Sequence, residues 1–398
     1  MLQSSGNAPV GWDSAVNMAR TNVVQAGDPS VSEQEKKEVK SNIELAQNWL
    51  NSVTNFSTKT INSNSWCRSE WIQATVPTWK KIVEPVAQRV QKSMTNSFPN
   101  IPGMDEGQQA MLKPLLESLK PMSAAMFSMQ VSNGLSALAS EVLCLTDIGL
   151  PLGDTSIPSL IPRNIKEFSV GLSVPESDFF VFIALRETAA SRLFSNVAWL
   201  SPTLLSAIEE YSSQISVSNN KVNDLMSQID PTNPESIQEI ISGGLFEPEL
   251  NESQKSALKR TERLLALIEG WIVEIVNNAA TNRLPSLNSL QEAMNRRRAE
   301  GGPAEKTFGA LIGLELRPKL MREASQFWKQ QTKVNGIEKR DSLWSHPDLL
   351  PSLEDLQNPE FFNQIQAPLD ISSLSTLGEA PKEDDENTDD GNSSNASK

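Results

Sequence analysis

The chain of 398 residues is long enough for one large domain or two smaller ones, and its 38% hydrophobic content allows a sizeable core. Its formal net charge of −14 disfavours binding to nucleic acid or to a membrane surface, because both are negatively charged. The single histidine, His346, excludes a zinc site built from two or three imidazoles of one chain.

The first part of the chain predicts long helices. Ser32 and Glu35 have the spacing of a capping box at the start of a helix over residues 33–50. A helix over residues 70–93 has one apolar face and should kink or split at its two internal prolines. A third helix, over residues 111–145, has a possible break at its own proline. Its stripe of small residues is typical of a central helix that another helix approaches closely.

The second part of the chain alternates between irregular segments and helices. Residues 149–173 are rich in proline and glycine and should be irregular, with short extended pieces at most. Pro175 suits the first turn of a helix whose residues 179–185 are apolar on every side, which indicates a buried helix. Further helices are expected to begin at Ser201, at the capping box of Asn251, and at Pro318.

The pattern as a whole predicts a mainly α fold with little β structure. We expect an N-terminal helical lobe over residues 1–100, a helical core over residues 101–370 and a disordered tail over residues 371–398. From Glu379 onward the chain holds seven acidic and two basic residues and shows no apolar periodicity, which is typical of disorder.

Targeting signals are not evident. Cys67 and Cys144 are too few and too far apart for a disulfide framework, so both should be reduced. The N-terminus lacks the basic start and apolar core of a signal peptide. The most membrane-like stretch, residues 122–150, is interrupted by polar side chains that would be costly in hydrocarbon. We therefore expect a cytoplasmic protein that does not associate with membranes.

Seven sequence blocks resemble one known family and occur in its order. They are VGWDSAV at 10–16, SEWIQATVPTW at 69–79, TDIGLPLG at 146–153, LLALIEGW at 264–271, RRRAEGGPAE at 296–305, GLELRP at 313–318 and RDSLWSHPDLLP at 340–351. From Val10 to about Phe362, the chain resembles the zincin-like hydrolases typical of actinobacteria, which are often labelled zinc-dependent metalloproteases. One branch is described as associated with deazaflavin-coenzyme biosynthesis. The resemblance implies a zincin-like multi-helix domain.

The resemblance also implies where the zinc site of the relatives would fall. In the zincin motif HExxH, both histidines ligate zinc and the glutamate activates the metal-bound water. Arg186 stands at the first histidine, Glu187 at the general base and Ala190 at the second histidine. Glu269 corresponds to the third ligand, and a further histidine of some relatives would fall on Asn196. The motif is therefore degenerate, because its acids are kept and every imidazole is replaced.

This replacement predicts that the chain holds no metal or other cofactor. Arg186 carries a fixed positive charge to the metal's position, and Ala190 offers no donor atom. We expect the guanidinium to pair with Glu269 or Glu187 and so to neutralise a buried carboxylate. Two alternatives stay open, a metal-free catalytic use of these residues and a weak, hard metal held by the two glutamates.

Two other features could carry chemistry. His346 lies in the last block, where Asp348 could orient its ring, but no nucleophile is adjacent, so we expect the ring to cap or pack. The arginines at 296–298 could bind an anion, although a solvated face is the expected role.

Three functions are consistent with the sequence. The favoured one is a non-catalytic pseudoenzyme that acts as a scaffold or binds an unidentified protein or peptide partner. The first alternative is an active hydrolase or peptidase that uses Glu187 without zinc or with a weak metal. The second is an interaction protein that acts through its acidic tail.

Overall fold

The computed structural model describes residues 9–97, 106–213, 251–301, 303–312 and 320–357, together with Phe362. Met1–Gln357 form one compact unit; of the second, Asn358–Lys398, only Phe362 is described. The division into lobe, core and tail stays a prediction, and the acidic tail lies outside the described residues.

The described residues are mainly helical, which confirms the predicted fold class. The helices are α1 Trp12–Gln25, α2 Glu33–Leu50, α3 Arg68–Ser97, α4 Glu106–Glu141, α5 Pro162–Ser169, α6 Glu176–Asn196, α7 Leu200–Ser213, α8 Glu252–Ala280, α9 Leu287–Ala299, α10 Pro303–Ile312, α11 Met321–Ser342 and α12 Leu353–Gln357. Two short 3₁₀ helices, Leu343–Ser345 and Pro347–Leu349, lie between α11 and α12. The strands are β1 Asn64–Ser65 and β2 Ser159–Leu160.

Capping boxes begin α2 and α8, as the sequence predicts. Ser32 Oγ accepts a hydrogen bond from the Glu35 amide at 3.3 Å, and the Glu35 carboxylate accepts one from the Ser32 amide at 2.9 Å. Asn251 and Gln254 make the same reciprocal pair at 2.8 and 3.1 Å. Each box satisfies two backbone donors that the first turn of a helix leaves unpaired.

The prolines at which the sequence predicts a kink or a break do not split the helices. α3 runs through Pro77 and Pro85, and α4 runs through Pro121. In α3, Trp71 and Trp79 are fully buried, so packing of the apolar face offsets the hydrogen bonds that the prolines remove.

The prediction of an irregular segment over residues 149–173 was wrong in part. α5 begins at Pro162, because a proline at the first helical position loses only an amide that the helix would leave unpaired. The sequence predicts that the helix beginning at Pro318 ends at Lys333, but α11 runs on to Ser342. It bends at Gly336, whose φ of +77° would strain any other residue.

Helix α6 lies at the centre of the packing around the site. Its residues Phe179–Phe194 are buried, except for Val181, and it packs against α2, α5, α8 and α9. Helix α8 in turn packs against α7 and α11. The prediction of a buried helix is therefore confirmed, and α6 and α8 bring their polar residues together in the interior.

Helix α4 is central, as its stripe of small residues predicts. It packs against α1, α3 and α10. Ser128 of the stripe accepts a hydrogen bond from the Gly11 amide at 2.9 Å, which holds the start of α1 against α4.

A very small sheet lies against α6. β1 pairs in parallel with β2, and the segment around Cys144 adds an antiparallel bridge to Leu160. The amide of Leu145 donates to the Ser159 carbonyl at 3.0 Å, which ties the end of α4 to β2. None of the described helices has the length and apolarity needed to cross a lipid bilayer.

Candidate functional site

Arg186 of α6 and Glu269 of α8 meet in the interior. The guanidinium Nη2 of Arg186 donates to Glu269 Oε1 at 2.6 Å, and each side chain is only 9% exposed. The sequence predicted a pair with either Glu269 or Glu187, and the structure has the pair with Glu269. A short contact between opposite charges is a strong hydrogen bond when both groups are withdrawn from water.

A second guanidinium, from α9, reaches the same carboxylate. Nη1 of Arg298 lies 2.7 Å from Glu269 Oε1, but it is not oriented to form a hydrogen bond. Burial alone would raise the pKa of Glu269, yet Arg186 and Arg298 together hold this pKa below its usual value. The carboxylate is therefore an anion flanked by two cations.

Glu187 faces the small sheet instead. Its carboxylate accepts hydrogen bonds from the Thr146 hydroxyl at 2.6 Å, from the Thr146 amide at 3.1 Å and from the Ser159 amide at 3.1 Å. Its side chain is completely buried, and burial raises its pKa even though these hydrogen bonds oppose the rise. Glu187 thus holds two backbone segments against α6.

Two of the three clustered arginines are internal, which corrects the expectation of a solvated face. Arg297 Nη1 contacts both carboxylate oxygens of Asp147 at 2.9 and 3.0 Å, and its Nη2 donates to the Glu141 carbonyl at 2.7 Å. Arg298 binds Glu269, and only Arg296 is largely exposed, where it pairs with Glu292. Arg297 and Arg298 therefore each pair with a carboxylate of the fold, and binding of a separate anion by the cluster stays a prediction.

Thr146, Asp147 and Ser159 are partners in the site that the sequence did not indicate. Thr146 and Asp147 begin one of the blocks that carry the family resemblance, and Arg297 and Arg298 belong to another. Their shared membership of those blocks was the available signal. It could not show which carboxylate each arginine binds, because that depends on how α9 packs against α6.

Ala190 and Asn196 complete the positions that the resemblance assigns on α6. Ala190 is fully buried and contributes only a methyl group. Asn196 donates to the Ser57 carbonyl at 2.9 Å and to the Arg192 carbonyl at 2.8 Å. It lies ten residues from Arg186, about 15 Å along the helix. Asn196 therefore fastens the segment after α2 and is not brought to the Arg186–Glu269 pair.

His346 lies on an exposed turn between the two 3₁₀ helices. Its Nδ1 accepts a hydrogen bond from the Asp348 amide at 3.2 Å, and its ring is 62% exposed. The capping role that the sequence favoured is therefore present in the structure. The imidazole lies 3.4 Å from the Asp348 carboxylate, and the described geometry gives no support to a catalytic role for this pair, which the sequence did not favour.

The buried acid of the last block is Asp341. Its carboxylate accepts hydrogen bonds from Thr54 at 2.7 Å, from the Asn55 amide at 2.8 Å, from Trp271 at 3.0 Å and from Arg340 at 2.9 Å. It joins the segment after α2 to α8 and α11. This network gives the block a structural role.

The residues at the position where the resemblance would place zinc do not fit zinc. Among the described residues, no group of three histidine, cysteine or acidic side chains is arranged to hold a metal ion. At the position itself, a guanidinium contacts the remaining acid, Glu269, and Ala190 has no donor atom. A dication there would face a fixed positive charge and fewer ligands than a structural or catalytic zinc requires.

Comparison with a family model shows the family of the chain, and comparison with a solved structure supports its fold. A solved structure from Chloroflexus aurantiacus, of a protein inferred to be a hydrolase and described as having a novel fold, is similar with a TM-score of 0.61. The two sequences are 17% identical, and the similarity covers 90% of this chain and 99% of that one. No functionally curated protein matches the chain significantly. Residues 10–362 match the family described as zincin-like metallopeptidase, so the chain belongs to that family.

Proposed function

We propose that this chain is a non-catalytic member of the family, a scaffold or binding protein whose inherited metal position is closed by an ion pair. The observation that carries the proposal is the contact of 2.6 Å between Arg186 and Glu269, both nearly excluded from water. The guanidinium takes the charge-neutralising role that a metal ion plays in the zincin motif, and it offers no Lewis acidity.

The environment of Glu187 supports the same proposal. A general base must reach a water molecule or substrate proton at hydrogen-bond distance. The carboxylate of Glu187 is completely buried, and Thr146 and Ser159 already donate three hydrogen bonds to it. A hydrolase that used this base would have to break those bonds first, so the metal-free alternative has less support.

Metal analysis of the purified full-length chain tests the proposal. We expect zinc far below one ion per chain, and we expect a chelator to leave the melting temperature unchanged because no ligand is removed. Near-stoichiometric zinc, together with a peptidase activity that the chelator abolishes, would overturn the proposal.

A matched variant makes the test more specific. Arg186→His combined with Ala190→His gives α6 two imidazoles four residues apart, the spacing that ligates zinc in the family motif. Zinc content should rise in this double variant relative to the wild type. An equally high zinc content in both proteins would show that the metal binds elsewhere or that Arg186 does not exclude it.

A further inference from the structure

The cluster at α6, α8 and α9 carries a surplus of positive charge. Arg297 and Asp147 form one balanced pair. The other group has two guanidiniums, Arg186 and Arg298, on a single carboxylate, Glu269. The second group therefore has one more positive charge than negative charges.

The contacts of Arg298 show where that surplus lies. Both guanidiniums approach the same oxygen of Glu269, but only Arg186 makes an oriented hydrogen bond with it. Nη1 of Arg298 is buried and has no hydrogen-bond partner among the described residues. A buried charged donor without an acceptor is costly, and the like charge of Arg186 adds to that cost.

Arg298 is also the more accessible of the two arginines. Its side chain is 21% exposed, whereas that of Arg186 is 9% exposed. An anion arriving from solvent would reach the Arg298 side chain first. The charge of Arg186 behind it would add to the attraction. A guanidinium presents its donors as a planar fork that matches the oxygens of a carboxylate or a phosphate.

We propose that Arg298, backed by Arg186, binds a small oxyanion, a carboxylate or a phosphate group, at the outer edge of the former metal position. The proposal rests on the proposed function, because it requires a guanidinium and not a metal ion at position 186. The bound oxyanion lies against the exposed part of the Arg298 side chain and balances the surplus charge.

Titrations of the full-length chain with inorganic phosphate and with acetate, against chloride at constant ionic strength, test this site. We expect saturable binding of at least one oxyanion by calorimetry. The melting temperature should rise by about 2 °C at ten times Kd, because the ligand binds only the folded state. Binding of phosphate alone indicates a phosphate ligand, and binding of acetate alone indicates a carboxylate; either supports the site.

Two variants in the same turn of α9 provide the matched comparison. Arg298→Gln should abolish saturable binding, whereas Arg296→Gln should leave it unchanged, because Arg296 is exposed and pairs with Glu292. An equal response in Arg298→Gln and wild type would overturn the proposal. If Arg298→Gln does not fold, the wild-type calorimetry decides alone. The absence of saturable binding of both ions to the wild type would then overturn the proposal.

The two proposals fail in different ways. Stoichiometric zinc in the purified chain overturns the proposed function and this inference with it. A zinc-free chain that binds neither phosphate nor acetate overturns only the anion site, and the closed ion pair stands.

Discussion

Arg186 changes the chemistry of α6 at a single residue. An imidazole at this position offers a lone pair, whereas a guanidinium offers only donors and a permanent charge. The acid across the interface, Glu269, is then no longer a candidate metal ligand but the counterion of an arginine. An arginine at this position therefore repels a cation that an imidazole could bind.

The two members of the buried pair should differ in how much stability they carry. Glu269→Gln leaves both Arg186 and Arg298 without their anion, so we expect a loss of about 3–5 kcal/mol in the free energy of unfolding. Arg186→Met should cost less, because Glu269 keeps Arg298 as a partner. Chemical denaturation of the full chain measures both values.

An exposed pair is the control for this prediction. Glu292→Gln removes the partner of Arg296 on the surface of α9 and should change the free energy of unfolding by less than about 1 kcal/mol. A loss for Arg186→Met that equals or exceeds that for Glu269→Gln would show that Arg298 does not support Glu269.

At the residue scale, the sequence indicated the Arg186–Glu269 pair but not its surroundings. The pair follows from two positions that the family resemblance assigns and from the cost of burying charge. Arg298 and Thr146 could not be assigned in the same way. Their roles depend on which face of α9 and which end of α4 meet α6, and local spacing carries no information about such long-range packing.

At the scale of elements, a close contact between two helices lies beside the site. A Cβ atom added at Gly270 of α8 would lie 2.7 Å from the backbone of Ala324 and Ser325 in α11. No real Cβ atom tolerates that distance, so the glycine allows the two helices to touch. The same crossing positions Glu269, which precedes Gly270, and Trp271, which follows it.

Gly270→Ala should therefore destabilise the protein. Either α11 must shift or the backbone must strain, and overpacking of this kind costs about 1–3 kcal/mol. Gly309→Ala in α10 is the matched control, because no atom lies within 4 Å of the added methyl group. It should stabilise the protein by about 0.5–1 kcal/mol through the higher helix propensity of alanine. Equal effects of the two substitutions, measured by thermal denaturation, would contradict a close crossing at Gly270.

Element boundaries were predictable where the chain itself supplies the hydrogen bonds. The capping boxes at Ser32 and Asn251 are examples, since each is complete within four residues. The continuity of α3 through Pro77 and Pro85 was not predictable, because burial of a distant apolar face stabilises it. α5 was missed because its eight residues, about two helical turns, are too few to stand out from a proline-rich segment.

At the scale of the whole molecule, Glu187 joins parts of the chain that are far apart in sequence. Its carboxylate binds Thr146 after α4 and Ser159 of β2, and burial raises its pKa above the ordinary value of 4.5. An acid whose pKa is higher in the folded state contributes most to stability below its ordinary pKa. That contribution declines as the pH rises through the raised pKa, because the folded state must then bury a charge.

Glu187→Gln should consequently cost less stability as the pH increases. The amide removes at least one hydrogen bond with Thr146 or Ser159, so the variant is less stable than the wild type near pH 4.5. Above that pH the wild type loses stability, because its folded state must bury a charged carboxylate. The amide of the variant does not titrate, so the difference in the free energy of unfolding between the two proteins should shrink. Urea denaturation of both proteins across the range from pH 4.5 upward measures this difference. If the difference stays constant or grows, Glu187 ionises readily although it is buried. Its three hydrogen bonds would then stabilise the charge by more than burial destabilises it.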